Sequence, residues 1–167
     1  MEDNYIHFSI DGRDLKINKD NPEDIFMWKT HGGKGKIKNP YWKQVSILNG
    51  KPYKTIRISK KHFGLHRVNY YAHNQDWDIY NSCIKTNSID HEDRNKSNNN
   101  INNLRVSTHQ HNQWNRNCKG YRWKERSQKW EAYIKVNGKQ KYLGYFILEE
   151  DARNAYLEAK KIYHKIE

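Results

Sequence analysis

Two Asn-Gly dipeptides, Asn49-Gly50 and Asn137-Gly138, do most to limit what this chain of 167 residues can fold into. Each lies between segments of alternating apolar and polar residues. Asn-Gly favours the positive-φ corners of a two-residue hairpin, so each dipeptide predicts an antiparallel strand pair. Around the first, KQVSIL and YKTIRIS predict strands over 43–48 and 53–59. Around the second, WEAYIKV and KYLGYF predict two strands, with YRWKER as a third before them. HFSI and DLKI read as short strands about a further turn, Asp11-Gly12.

Two segments change to helical spacing. HRVNYYAHN, 66–74, predicts a short helix with Val68 and either Tyr71 or Ala72 inward. LEEDARNAYLEAKKIYHK places Ala152, Ala155, Tyr156, Ala159, Ile162 and Tyr163 on one face. Glu149, Glu150 and Asp151 open that segment and Lys160 and Lys161 close it, as the helix dipole favours. The expected architecture is α+β. A first domain spans 42–116, and a three-stranded antiparallel sheet packed on one helix spans 119–167. Residues 1–41 form a segment that is part of the first domain or appended to it. Within it, Gly32, Gly33 and Gly35 with Lys34 and Lys36 make a basic loop able to touch phosphate.

Charge points to the partner. Lys and Arg number 31 against 19 Asp and Glu, a formal net charge of +12. A polyanion is the natural complement of such a chain, and nucleic acid is the commonest polyanion. Only 35% of residues are hydrophobic, but six Trp and twelve Tyr supply large rings for small cores. Cys83 and Cys118 form no CxxC pair, so a reducing compartment is expected and a cysteine zinc site is not. The N-terminus lacks a signal peptide pattern and no run approaches a membrane span, so the expectation is an intracellular protein away from membranes. No protein partner is evident, which leaves monomer or homodimer open.

The chemistry concentrates in 89–112, IDHEDRNKSNNNINNLRVSTHQHN. Residues 88–90 predict a strand entering a loop and Leu104–Ser107 the returning strand, with Thr108 able to cap a helix over 109–116. Hydrolysis of a phosphodiester needs an activated water and a charge stabiliser for the phosphate and the leaving oxygen. Asp90 and an Asn carbonyl supply oxygens for a hard cation, and the adjacent imidazole of His91 can take a proton near neutral pH. Asp93, Asn95 and Asn99 imitate a calcium loop but lack its Gly and its terminal Glu.

DHEDRNKSNNNINNLRVSTHQHNQWN resembles the HNH motif of phage and intron homing endonucleases, which runs Asp-His, Asn-Leu-Arg and a final Asn. The likeness extends upstream through LHRV at 65–68 and covers about 45–116. It implies a ββα-metal nuclease unit. His91 would be the general base, Asp90 and Asn112 the ligands of one divalent ion, Mg2+ or alternatively Mn2+. Asn103 would hold the loop and help orient His91. Arg67 and Arg105 would hold phosphate; the role of His66 stays open.

KGYRWKERSQKWEAYIKVNGKQKYLGYFILEEDARNAYLEA resembles the DNA-binding domain of plant ethylene-response factors of the Apetala type, also fused to HNH nucleases of mobile elements. The likeness covers 119–164 and implies a sheet laid in the major groove of double-stranded DNA. Alternation turns Trp130, Ala132 and Ile134 toward the helix and Glu131, Tyr133 and Lys135 outward. Arg122 and Lys124 share the outward side, with Lys119 just before them and Gln140 and Tyr142 on the third strand. Lys119, Lys135 and Gln140 stand where the family often has Arg, so weaker base discrimination is expected. Together the two likenesses imply a metal-dependent homing endonuclease leaving 5′-phosphate and 3′-hydroxyl ends. A restriction or defence nuclease and a non-catalytic DNA-binding regulator are the alternatives.

Overall fold

The computed structural model describes residues 4–31, 36–50, 52–81, 85–116 and 118–165. The fold is mixed α and β, with several small antiparallel sheets. The basic loop expected at 32–36 falls largely outside the described residues. Contacts divide the chain into two compact units, Met1–His109 and Gln110–Glu167.

The first unit opens with a four-stranded sheet of β1 (Tyr5–Ile10), β2 (Arg13–Asn18), β3 (Ile25–His31) and β4 (Lys36–Gln44), in that order. Ile10 pairs with Arg13, leaving Asp11 (φ 49°) and Gly12 (φ 66°) as the corners of a type I′ turn. Alternation buries Phe8, Ile10, Leu15, Ile17, Ile25 and Met27 on one face. Pro40 sits in β4, an edge strand, beside a register shift in the β3–β4 ladder, the kind of position where proline is tolerated.

β5 (Ile47–Asn49), β6 (Lys54–Ile58) and β7 (Lys61–Gly64) form an antiparallel meander that runs into α1 (Leu65–His73). Ile56, Ile58, Phe63, Leu65, Val68, Ala72 and Ile79 join the buried face of the first sheet in one core. Each of the larger of these side chains contributes about 1.5–3 kcal/mol. Strands β1 to β3 therefore supply part of the first unit's core, and β4 runs through the boundary expected at 41/42. Ala72 is the inward residue of α1, while Tyr71 lies at the margin of the core.

The first expected hairpin differs in detail. Lys43 and Gln44 pair with Met27 and Phe26 in the first sheet, so only Ile47–Asn49 faces β6. The ladder ends at Asn49 opposite Lys54, and Gly50 is not among the positive-φ glycines. Pro52, with its fixed φ, lies in the wider connection between Asn49 and Lys54 rather than in a strand.

β8 (Ser88–His91) pairs antiparallel with β9 (Leu104–Ser107), joined by a loop that ends in a 3-10 turn, Ile101–Asn103. α2 (His109–Trp114) follows. The sequence boundary lay at 116–119, whereas the contacts divide the chain after His109. The reason is local: Gln110 donates to Asn137 and Trp114 stacks on His164 at 4.8 Å, both within the second unit.

The second unit is the sheet β10 (Tyr121–Lys124), β11 (Lys129–Val136), β12 (Lys139–Phe146), covered by α3 (Glu149–Tyr163). Val136 pairs with Lys139 across Asn137 (φ 49°) and Gly138 (φ 80°), the type I′ turn the dipeptide predicts. Ala132 and Ile134 are buried, as are Ala152, Tyr156 and Ala159 of α3. Ile162, expected inward, is 61% exposed. It lies about 90° round the helix from the centre of the Ala152, Tyr156, Ala159 stripe, too far for a three-stranded sheet to cover. Among the described residues no helix is long and apolar enough to cross a membrane.

Candidate active site and nucleic-acid face

The strand pair β8–β9 sets the first group of candidate residues. Its register puts Asp90 opposite Arg105 and His91 opposite Leu104. The Arg105 guanidinium contacts Asp90 at 3.2 Å and Glu92 at 3.5 Å. Alternation turns His91 inward, where it is only 3% exposed. Its Nε2 lies 3.1 Å from the side-chain carbonyl of Asn99, itself 4% exposed. A carbonyl oxygen only accepts, so Nε2 carries the proton and the lone pair of neutral His91 is on Nδ1. The tautomer of the candidate base is thus set by a buried neighbour.

The loop between the strands is held by its own amides. Asn103 donates to the Asp93 carboxylate at 2.9 Å and to the Asn98 carbonyl at 2.8 Å, and accepts the Asp93 N–H at 3.0 Å. Asn98 and the backbone N–H of Asn95 also donate to Asp93, at 2.8 and 2.7 Å. The Asn98 amide, ahead of the Asn95 N–H and the Asn103 amide, holds the Asp93 carboxyl below the usual range. Asn103 therefore secures the loop, while His91 donates its hydrogen bond to Asn99. From α1, Asn69 donates to the Asn99 backbone carbonyl at 2.8 Å and ties loop to helix.

Behind His91 stand two rings. His66, one turn before Asn69 on α1, lies 5.3 Å from the His91 ring, and Tyr53 lies 4.8 Å from His66 and 6.0 Å from His91. Gly64 makes room for this: a Cβ there would sit 2.6 Å from His66 Cε1. Burial, then the neighbouring His91 and Arg67, push the His66 pKa down to about 3. His66 is neutral at physiological pH, and its buried Nδ1 has no hydrogen-bond partner among the described residues. Lys96 caps the Tyr53 ring at 5.1 Å.

Arg67, expected on phosphate, is committed elsewhere. Its terminal nitrogens donate to the carbonyls of Asn87, Ile79 and Asn81 at 3.2, 2.8 and 2.9 Å, and its guanidinium stacks on Trp77. It fastens the segment leading into β8. Burial lowers its pKa, and Asp78 opposes that shift. Asn112 lies on α2, in the second unit. Asp90 offers a carboxylate oxygen of the kind a hard divalent cation takes, and the expected ligand pair is divided between the two units. Sequence reasoning missed Asn99, Asn69 and Tyr53. Nothing in the run of asparagines distinguishes Asn99 from Asn98 or Asn100.

The second group lies on the face of the C-terminal sheet away from α3. Arg122 pairs with Glu131, Glu131 with Tyr145, Tyr133 with Tyr142 and Lys135 with Gln140, and directly opposed residues share a face. Lys124 lies two residues from Arg122 and so on the same side. A bulge at Ala132/Tyr133 shifts the alternation of β12 and adds Tyr145, which sequence spacing would turn inward. Arg122 contacts Glu131 at 2.8 Å and Lys124 reaches the same oxygen at 3.5 Å. The hydrogen bond from Arg122 comes first in holding the Glu131 carboxyl below its usual range. Tyr142 and Tyr145 are exposed and meet edge to face at 5.4 Å. Lys119 is turned aside, paired with Glu149 at 3.6 Å.

Known protein families, curated proteins and solved structures offer no match to this chain.

Proposed function

We propose that the chain is a metal-dependent DNA endonuclease of the homing type, an HNH (ββα-metal) unit joined to an Apetala-like DNA-reading sheet. The observation that carries this reading is the His91–Asn99 hydrogen bond beside Asp90. The His91 imidazole, hydrogen-bonded to a buried amide, and the Asp90 carboxylate are consecutive residues at the end of a short strand pair. A net charge of +12 and a sheet face of Arg, Lys and Tyr support a polyanionic substrate.

Asp90 and Asn112 would hold a divalent ion, Mg2+ or Mn2+, which when bound stabilises charge on the phosphate and on the leaving oxygen. His91 Nδ1 takes the proton from a water molecule. The water oxygen forms its bond to phosphorus as the bond to the 3′ oxygen breaks, and the departing 3′ oxyanion takes a proton from solvent water, giving 5′-phosphate and 3′-hydroxyl ends. Asn99 holds the ring, and Asn103 with Asp93 keeps the loop that carries Asn99. One such site nicks one strand; a double-strand break needs two.

A second reading, a DNA-binding regulator with the HNH unit as scaffold, draws on the near-complete burial of His91. End chemistry separates the two. Supercoiled plasmid bearing candidate sites, incubated with the protein and Mg2+, yields nicks that DNA ligase reseals if the ends are 5′-phosphate and 3′-hydroxyl. Binding without any nick, in Mg2+ and in Mn2+, would leave the regulator. Discrete fragments at a short frequent sequence would instead indicate a restriction or defence nuclease.

A further inference from the structure

The outward face of the C-terminal sheet holds one carboxylate among basic groups. Glu131 sits directly opposite Arg122, with Lys124 beside it. Its side chain is 12% exposed, whereas that of Arg122 is 53% exposed. The contact uses Arg122 Nε, and the guanidinium lies over the Tyr133 ring at 5.4 Å. Among the described residues the two terminal nitrogens of Arg122 make no hydrogen bond.

We propose that Glu131 is a positioning residue that turns Arg122 into a reader of guanine, holding Nε so that the terminal nitrogens meet O6 and N7 of one base. The inference rests on the DNA-facing reading of this sheet. Arginine's planar fork suits either a phosphate or the guanine edge. Two features select the base. Tethering at Nε and stacking on Tyr133 fix the direction of the fork, and a pre-organised side chain loses less freedom on docking. The carboxylate also offsets one of the two positive charges beside it, which weakens attraction for phosphate and leaves a neutral base edge unaffected. Lys129 and Lys135, with no such anchor among the described residues, present point charges suited to phosphate.

The test uses the full chain. Selection from a random duplex library should return a site with one strongly preferred guanine. Replacing that guanine by 7-deazaguanine removes N7 and should weaken binding by wild type roughly ten- to a hundred-fold, as loss of a bidentate base contact does. In Glu131→Gln that ratio should fall below about three-fold, while affinity for unrelated duplex is kept or raised, a combination that general loss of fold does not produce. Arg122→Lys should lose the same ratio at the same position only. If Glu131→Gln keeps the wild-type ratio, or if wild type binds duplex with no guanine preference, the inference is overturned while the DNA face stands. If wild type binds no duplex, both fail.

Discussion

His91 and Asn99 are each more than nine-tenths buried, so their hydrogen bond forms away from competing water. Removing the Asn99 amide leaves a buried N–H without its acceptor, at a cost of about 1–3 kcal/mol. Asn99→Ala should therefore lower stability by that amount in urea titration and slow nicking roughly ten- to a hundred-fold. Nicking at the wild-type rate would show that the ring needs no such anchor. His66 gives a pH prediction. Its folded pKa of about 3 lies below the ordinary value of 6.5, so between these values the unfolded chain binds the extra proton. Stability is then full above about pH 6.5 and falls as pH drops toward 3, by on the order of a few kcal/mol. Urea midpoints of wild type should decline over that window. His66→Gln, which removes the titrating group, should flatten the decline.

Among the elements, glycine decides two of the tightest joints. A Cβ on Gly120 would lie 2.0 Å from the Tyr156 ring, under α3, and 2.7 Å from the Tyr133 carbonyl. Gly120→Ala should cost about 1–3 kcal/mol or more and lower the melting temperature of the second unit, since neither ring nor backbone can yield cheaply. Gly138→Ala, at φ 80°, should cost about 1–2 kcal/mol by the same measurement. These joints also show what the sequence makes legible. Asp11-Gly12 and Asn137-Gly138 are read correctly because nothing nearby opposes a positive-φ corner. Asn49-Gly50 misleads because the strand before it is shared with the first sheet and the ladder closes only at Asn49 opposite Lys54, with Pro52 inside the connection. The strands that carry the candidate site, β8 and β9, follow from their short apolar runs. The side-chain network between them does not, because chemically equivalent asparagines gain different partners only once α1 is packed against the loop. Arg67 illustrates the same limit: a basic residue at a motif position is drawn to three backbone carbonyls that only the fold brings to it.

For the molecule as a whole, the two units divide the expected work. The first holds His91 and Asp90, the second the basic sheet face and Asn112. With a net charge of +12, duplex binding should weaken steeply with salt. If about eight charges neutralise phosphates, log K falls with log salt at a slope of roughly −7. Lys135→Ala should reduce that slope by about one without changing which sequence is preferred. The proposed nuclease depends on His91 activating water for strand cleavage. The most direct measurement compares wild type with His91→Ala on supercoiled plasmid in Mg2+, with duplex affinity measured alongside. Wild type should give nicked circles, and His91→Ala should bind undiminished with nicking reduced at least a hundred-fold. Equal nicking by the two proteins, or binding by wild type with no nicking in either Mg2+ or Mn2+, would contradict it.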